Sequence, residues 1–152
     1  MLQPVAHILL QVRESVTALV DGLAPAQWNE RPTGVASVGF HVRHITGVVD
    51  RLFAYARGEA LTPAQFVALR AEGEALSPAE IPAALRAMTS RIDAAVAELR
   101  SIDVATLADV RGVGRAQLPS TVIGCLVHGA EHAMRHAGQL SVTVRVVSSR
   151  LR

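Results

Sequence analysis

The chain has 152 residues, of which 50% are hydrophobic, and a formal net charge of +2. This length predicts one domain over residues 1–152, and no apolar run reaches the roughly 18–20 residues needed to span a membrane. All fifteen basic side chains are arginines spread along the chain, without the basic block and stacking aromatics typical of a nucleic-acid-binding protein.

Two segments with helical periodicity come first. Between residues 2 and 23, apolar residues recur at three- and four-residue steps, and Gly22 closes the pattern. The second segment covers about 37–57. Ser37 suits the N-cap position and Gly58 suits the C-terminal stop.

A link of about twenty residues follows, in which Thr62 and Pro63 can open a short extra helix. The third long helix is expected to begin near Ser77, because Glu80 follows three residues later as in a capping box. Its apolar pattern continues to Leu99.

The fourth helix is expected to begin after Ser120 and to run to about Ser148. Before it, the glycine-rich stretch ADVRGVGRAQLPS predicts a turn or a small extended excursion. Four amphipathic helices with a long crossover between the second and third predict an all-α four-helix bundle.

Five of the six histidines form two clusters on the second and fourth helices: His41, His44, His128, His132 and His136. Residues four apart lie on one helix face, so two such imidazoles can bind one metal ion. A histidine from the facing helix would add a third nitrogen and leave positions open for water or substrate.

The three histidines of the fourth helix cannot all bind one ion. His128 and His136 are about 12 Å apart along the helix axis, at about 1.5 Å per residue. The pair is therefore either 128 with 132 or 132 with 136, and spacing does not choose between them. The alternative is that some of the five face solvent by chance, but five histidines in two clusters favour the metal site. The lone His7 is expected to be a hydrogen-bonded core residue.

Two stretches, RPTGVASVGFHVRHITGVVDR and LPSTVIGCLVHGAEHAMRHAGQL, resemble the DinB/YfiT-like superfamily of metal-binding four-helix bundles. The resemblance implies that His44, His132 and His136 are the metal ligands. His41 matches a position that is often apolar in the family. His128 matches a histidine that is usually not a ligand, so both are expected to line the pocket.

Other residues bear on the pocket and the compartment. Trp28, just before the first of these stretches, is the aromatic residue that we expect to line the pocket or an interface. The lone Cys125 excludes an intramolecular disulfide framework. The N-terminal stretch MLQPVAHILLQVRES lacks the basic region and cleavage site of a signal peptide, so a cytoplasmic location is expected.

The resemblance implies one divalent transition metal ion (zinc, nickel, iron or manganese) and a small-molecule substrate. It also implies either S-transfer with a low-molecular-weight thiol or metal-dependent hydrolysis or isomerisation, and a homodimer. The apolar residues of the first and third long helices are expected to form the face for self-association. Two alternatives remain: a non-catalytic metal-binding bundle with a role in stress responses, and a helical interaction module with structural histidines.

Overall fold

The computed structural model describes residues 2–149. These residues form five α-helices and one β-hairpin: α1 (Gln3–Val20), α2 (Val38–Ala56), α3 (Pro63–Ala71), α4 (Ile81–Glu98), β1 (Val110–Val113), β2 (Leu118–Thr121) and α5 (Val122–Ser149). Short 3-10 turns lie at Pro25–Trp28, Pro32–Gly34 and Val104–Thr106. The predicted four-helix bundle is confirmed, with α1, α2, α4 and α5 as its helices.

The bundle helices pack in a ring. Both α1 and α2 border α4 and α5, and the most extensive contact is between α2 and α5. The two histidine-bearing helices are therefore direct neighbours. Gly129 on α5 lies against Leu52 on α2, where a Cβ at the glycine would be 3.4 Å from the Leu52 Cβ, so this small residue allows a close approach of the two helices.

Apolar side chains at helical spacing fill the space between the four helices. The largest of those fully buried are Phe53, Leu9, Ile45, Met88, Ile92, Leu99, Leu126 and Leu140. Each bundle helix contributes at least one of them, so the pattern that predicted the helices also forms the core. No helix among the described residues is both long and apolar enough to cross a membrane.

Local signals in the sequence set the bounds of α2. The Ser37 side chain accepts a hydrogen bond from the Phe40 backbone N–H at 3.2 Å, which is the N-cap contact. At the other end Gly58 has a φ of +77°, and the Glu59 N–H donates to the Ala54 carbonyl at 3.0 Å. Because left-handed backbone is easiest for glycine, the predicted stop at Gly58 is confirmed.

The crossover from α2 to α4 contains the short helix α3. Thr62 caps α3 as expected, and its side chain accepts a hydrogen bond from the Gln65 N–H. None of the residues of α3 is buried. The β-hairpin pairs Val110 with Thr121 and Val113 with Leu118, so the glycine-rich segment is the small extended excursion that its composition indicated.

Candidate metal centre

The histidines of α2 and α5 meet at the contact between these two helices. His44, His132 and His136 each offer one nitrogen atom, and the three atoms all lie within 4.8 Å of one another. All three side chains are half-buried. The spacing of the α5 histidines left two possible pairs, and the structure brings the 132/136 pair together with a histidine from α2.

The distances between these nitrogens fit a single small ion. The Nε2 atom of His132 lies 3.0 Å from Nε2 of His44 and 3.2 Å from Nε2 of His136. Metal–nitrogen bonds of about 2.0–2.1 Å in tetrahedral geometry separate two nitrogens by about 3.3 Å. The donor set therefore suits a transition metal that accepts imidazole, with at least one coordination position left for another ligand.

Two of the clustered histidines, His132 and His136, favour the neutral form at neutral pH. Burial lowers the pKa of His136 to about 4, with the nearby His44 as the second cause. Burial and then His44 also lower the pKa of His132. A neutral imidazole keeps a nitrogen lone pair free, which is the form that binds metal.

The second ring nitrogen of His44 contacts Glu72, a carboxylate that directly follows α3. The distance from His44 Nδ1 to Glu72 Oε2 is 2.7 Å, and Arg51 Nη1 donates to the other carboxylate oxygen at 2.7 Å. Burial raises the pKa of Glu72, but the hydrogen bonds with His44 and Arg51 outweigh it, so the pKa is lowered overall. The carboxylate is therefore charged although only 5% of the residue is exposed.

Sequence reasoning missed Glu72, because it considered only the carboxylates nearest to the histidines in sequence, Glu131 and Asp50. Glu131 instead pairs with Arg135 on the exposed face of α5, with two contacts of 2.7 and 2.6 Å. Asp50 accepts a hydrogen bond from Gln65 at 2.7 Å. The one available signal for Glu72 was its place in the crossover after the short extra helix, and no spacing rule links it to His44, which is 28 residues away.

His41 and His128, both expected to line the pocket, lie on opposite sides of the three-histidine cluster. His41 is 2% exposed, and its Nδ1 lies 3.1 Å from Nδ1 of His136. It borders a cavity of about 450 Å³ together with Gln139. His128 is exposed, and its ring centroid lies 5.7 Å from that of His132.

A larger cavity of about 490 Å³ adjoins the cluster on the side of His128. His44 and His132 form part of its wall, together with apolar residues of α2 and α3. Arg115, at the turn of the hairpin, also lines it. A small molecule in this cavity would therefore contact the histidines directly.

The prediction that Trp28 lines the pocket or an interface is wrong. Its side chain is 3% exposed and belongs to the hydrophobic core, and it lines neither cavity beside the histidines. The 3-10 turn at Pro25–Trp28 turns the side chain inward. Phe40 is the aromatic residue at the cluster: its ring stacks on that of His44, with centroids 5.1 Å apart and planes 11° from parallel.

Comparisons with known proteins identify the family and the fold of the chain. The sequence model described as "DinB superfamily" matches residues 8–140. A crystal structure described as a conserved protein of locus from Enterococcus faecalis is similar in fold, with a TM-score of 0.70 and 21% sequence identity over 97% of this chain and 96% of that one. No curated protein sequence matches the chain.

Proposed function

Since the chain belongs to the DinB superfamily, we propose that it is a metalloenzyme whose His44, His132 and His136 bind one divalent transition metal ion. The observation that carries this proposal is the convergence of three imidazole nitrogens within 4.8 Å beside a cavity. Imidazole suits zinc, nickel and iron, whereas manganese prefers oxygen ligands, so the three-histidine set favours the first three of the four metals.

The reaction that we propose is S-transfer with a low-molecular-weight thiol or hydrolysis of a small molecule. When bound, the metal would lower the pKa of a coordinated thiol or water and polarise an electrophile. The protein supplies three neutral nitrogens, so the ion would keep its full positive charge. A structural zinc site, in contrast, uses four protein ligands.

The cavity beside the centre supports a small-molecule substrate. Its apolar wall includes Leu52, Tyr55 and Phe66, which would exclude water from a bound organic molecule. His128 lines the same cavity, so its imidazole could exchange a proton with the substrate. The exposed Arg115 would attract an anionic group to the opening.

We further propose a cytoplasmic homodimer without nucleic-acid partners. Exposed apolar side chains support self-association, and the most exposed large ones within residues 2–149 are Val110 at 78%, Val104 at 67% and Leu118 at 61%. Leaving several such side chains in water is unfavourable when a partner surface can cover them.

Metal analysis and turnover together test the proposed enzyme. Protein purified from metal-supplemented medium should contain about one transition metal ion per chain by elemental analysis. The loaded protein should conjugate cysteine to a chlorodinitrobenzene or hydrolyse a nitrophenyl ester, and chelator-treated protein and His132→Ala should not. Metal without turnover would favour the non-catalytic bundle, and absence of metal would favour the interaction module.

A further inference from the structure

We propose that Glu72 is a positioning residue of the metal centre. Arg51 holds its carboxylate in place, and Gly47, which has no side chain, leaves room for the carboxylate and the guanidinium. In this view the carboxylate fixes the tautomer of His44 so that its Nε2 lone pair points at the ion. The part of this proposal that concerns metal affinity rests on the proposed metal site, whereas the tautomer of His44 can be tested in metal-free protein.

The carboxylate of Glu72 directly contacts the ring of His44. Glu72 Oε2 lies 2.7 Å from His44 Nδ1. An ionised carboxylate only accepts hydrogen bonds, so the ring must carry its proton on Nδ1. With that proton on Nδ1, the tautomer that can bind metal has its lone pair on Nε2, the atom that lies 3.0 Å from Nε2 of His132.

Arg51 prevents the carboxylate from turning away. Its Nη1 donates to Glu72 Oε1 at 2.7 Å, while Oε2 accepts from His44. Both residues are buried, with 9% of Arg51 and 5% of Glu72 exposed. Each oxygen therefore has its own charged or polar donor, and rotation of the carboxylate would leave a buried donor without a partner.

Gly47 provides the space in which this ion pair crosses α2. A Cβ at this position would lie 2.4 Å from Glu72 Oε1 and 2.5 Å from Arg51 Nη1. Real Cβ atoms do not approach polar atoms this closely, so any other residue here would displace the carboxylate or the guanidinium. Glycine inside a helix is destabilising relative to alanine, and the room for the ion pair accounts for its presence.

The crossover thus contributes to a centre whose ligands all lie on bundle helices. None of the residues of α3 is buried, but Glu72, which directly follows α3, is buried. Carboxylate partners of metal-binding histidines typically change metal affinity 10–100-fold when removed. We therefore expect an effect of this size from Glu72, without any direct contact between Glu72 and the ion.

Two measurements test the proposal. Nitrogen-15 NMR of the metal-free protein should show His44 protonated on Nδ1 in the wild type and as a mixture of tautomers in Glu72→Ala. Competition with a chelator for Co²⁺ should then give an affinity about 10–100-fold weaker for Glu72→Ala than for the wild type. Glu74→Ala is the matched control, because Glu74 is exposed two residues away, and it should match the wild type in both measurements.

Gly47→Ala provides a second test that keeps every polar group. It should weaken Co²⁺ binding in the same range, whereas Gly138→Ala should not, because a Cβ at Gly138 meets nothing within 4 Å. These two glycine variants test the proposal even if Glu72→Ala fails to fold.

A wild-type His44 protonated on Nε2, or variants of Glu72 and Gly47 that are folded and bind Co²⁺ like the wild type, would overturn the proposal. If the wild type binds no metal, the proposed function fails, and the tautomer measurement still decides whether Glu72 orients His44.

Discussion

The five clustered histidines differ in what their ring nitrogens contact. One ring nitrogen each of His44, His132 and His136 lies in the three-histidine cluster. A ring nitrogen of His41 contacts His136, and His128 lines an open cavity. Residue type and helical spacing predicted that such a cluster exists. They could not assign these separate roles, because the roles depend on the rotation of α2 against α5.

The carboxylate that contacts His44, Glu72, also could not be predicted from the sequence. Glu131 is next to His132 in sequence, but the helix turns it about 100° away, toward solvent and Arg135. Glu72 reaches His44 because the crossover folds back over α2. Local spacing describes one helix at a time, so it cannot predict a partner supplied by a distant segment.

The buried neutral histidines should make the metal-free protein sensitive to acid. The pKa values of His41 and His136 are lowered from 6.5 to about 4. Between these values the unfolded chain binds more protons than the folded chain, so stability is highest above about pH 6.5 and falls as the pH drops toward about 4. We expect the thermal midpoint of metal-free protein to fall steadily from pH 7 to pH 5.

A histidine variant checks the origin of that slope. His41→Gln should flatten the decline. His7, which we expected to lie in the core, is instead exposed on α1, and it provides the control, because His7→Gln should leave the slope as in the wild type. A thermal midpoint that stays constant or rises on acidification over this range would contradict the account.

At the scale of the secondary-structure elements, capping residues predicted some bounds well and others less well. Ser37 and Thr62 cap α2 and α3 as their positions suggested. Ser77 and Glu80 do form a hydrogen-bonded pair, with the Ser77 N–H donating to Glu80 at 2.7 Å. This pair closes a turn, and α4 begins only at Ile81, because a local contact of this kind stabilises a turn as well as a first helical turn.

Loss of the cap on α2 should destabilise the whole bundle. Ser37→Ala removes the hydrogen bond to the Phe40 N–H from a helix that contributes much of the core. We expect a loss of about 1 kcal/mol in the free energy of unfolding, measured by urea denaturation. Thr62→Ala removes the cap of α3, which has no buried residues, so its effect on global unfolding should be smaller. Equal effects of the two substitutions would contradict this account of α2.

For the whole molecule, the bundle itself was predictable because apolar residues recur at helical spacing in four segments, the first two of which end at Gly22 and Gly58. The location of the exposed apolar surface could not be predicted from the sequence. We expected an association face on the first and third long helices. Of the large apolar side chains that are exposed in residues 2–149, none lies on α1 or α4; they are Val35, Phe66, Val67, Leu69, Val104, Val110, Leu118, Val127 and Val142.

A homodimer should therefore use α3, the hairpin or the outer face of α5. Sedimentation of the wild type should show a dimer at micromolar concentration. Of the single variants Val67→Glu, Val110→Glu and Val142→Glu, at least one should shift the protein to monomer. A charge change on the exposed face of α1, such as Glu14→Arg, should leave the dimer intact. A wild type that stays monomeric at high concentration would contradict self-association.

The central claim is that three of the clustered histidines form one metal site, and the metal content of five single variants tests it most directly. His44→Ala, His132→Ala and His136→Ala should each lose the ion, because each removes one of three nitrogens that lie within 4.8 Å of one another. His41→Ala and His128→Ala should retain about one ion per chain by elemental analysis. If His128→Ala empties the site while His136→Ala does not, the pair on α5 is 128/132 and the assignment is wrong by one turn. If all five variants keep full metal, or the wild type never binds any, the three-histidine centre does not exist.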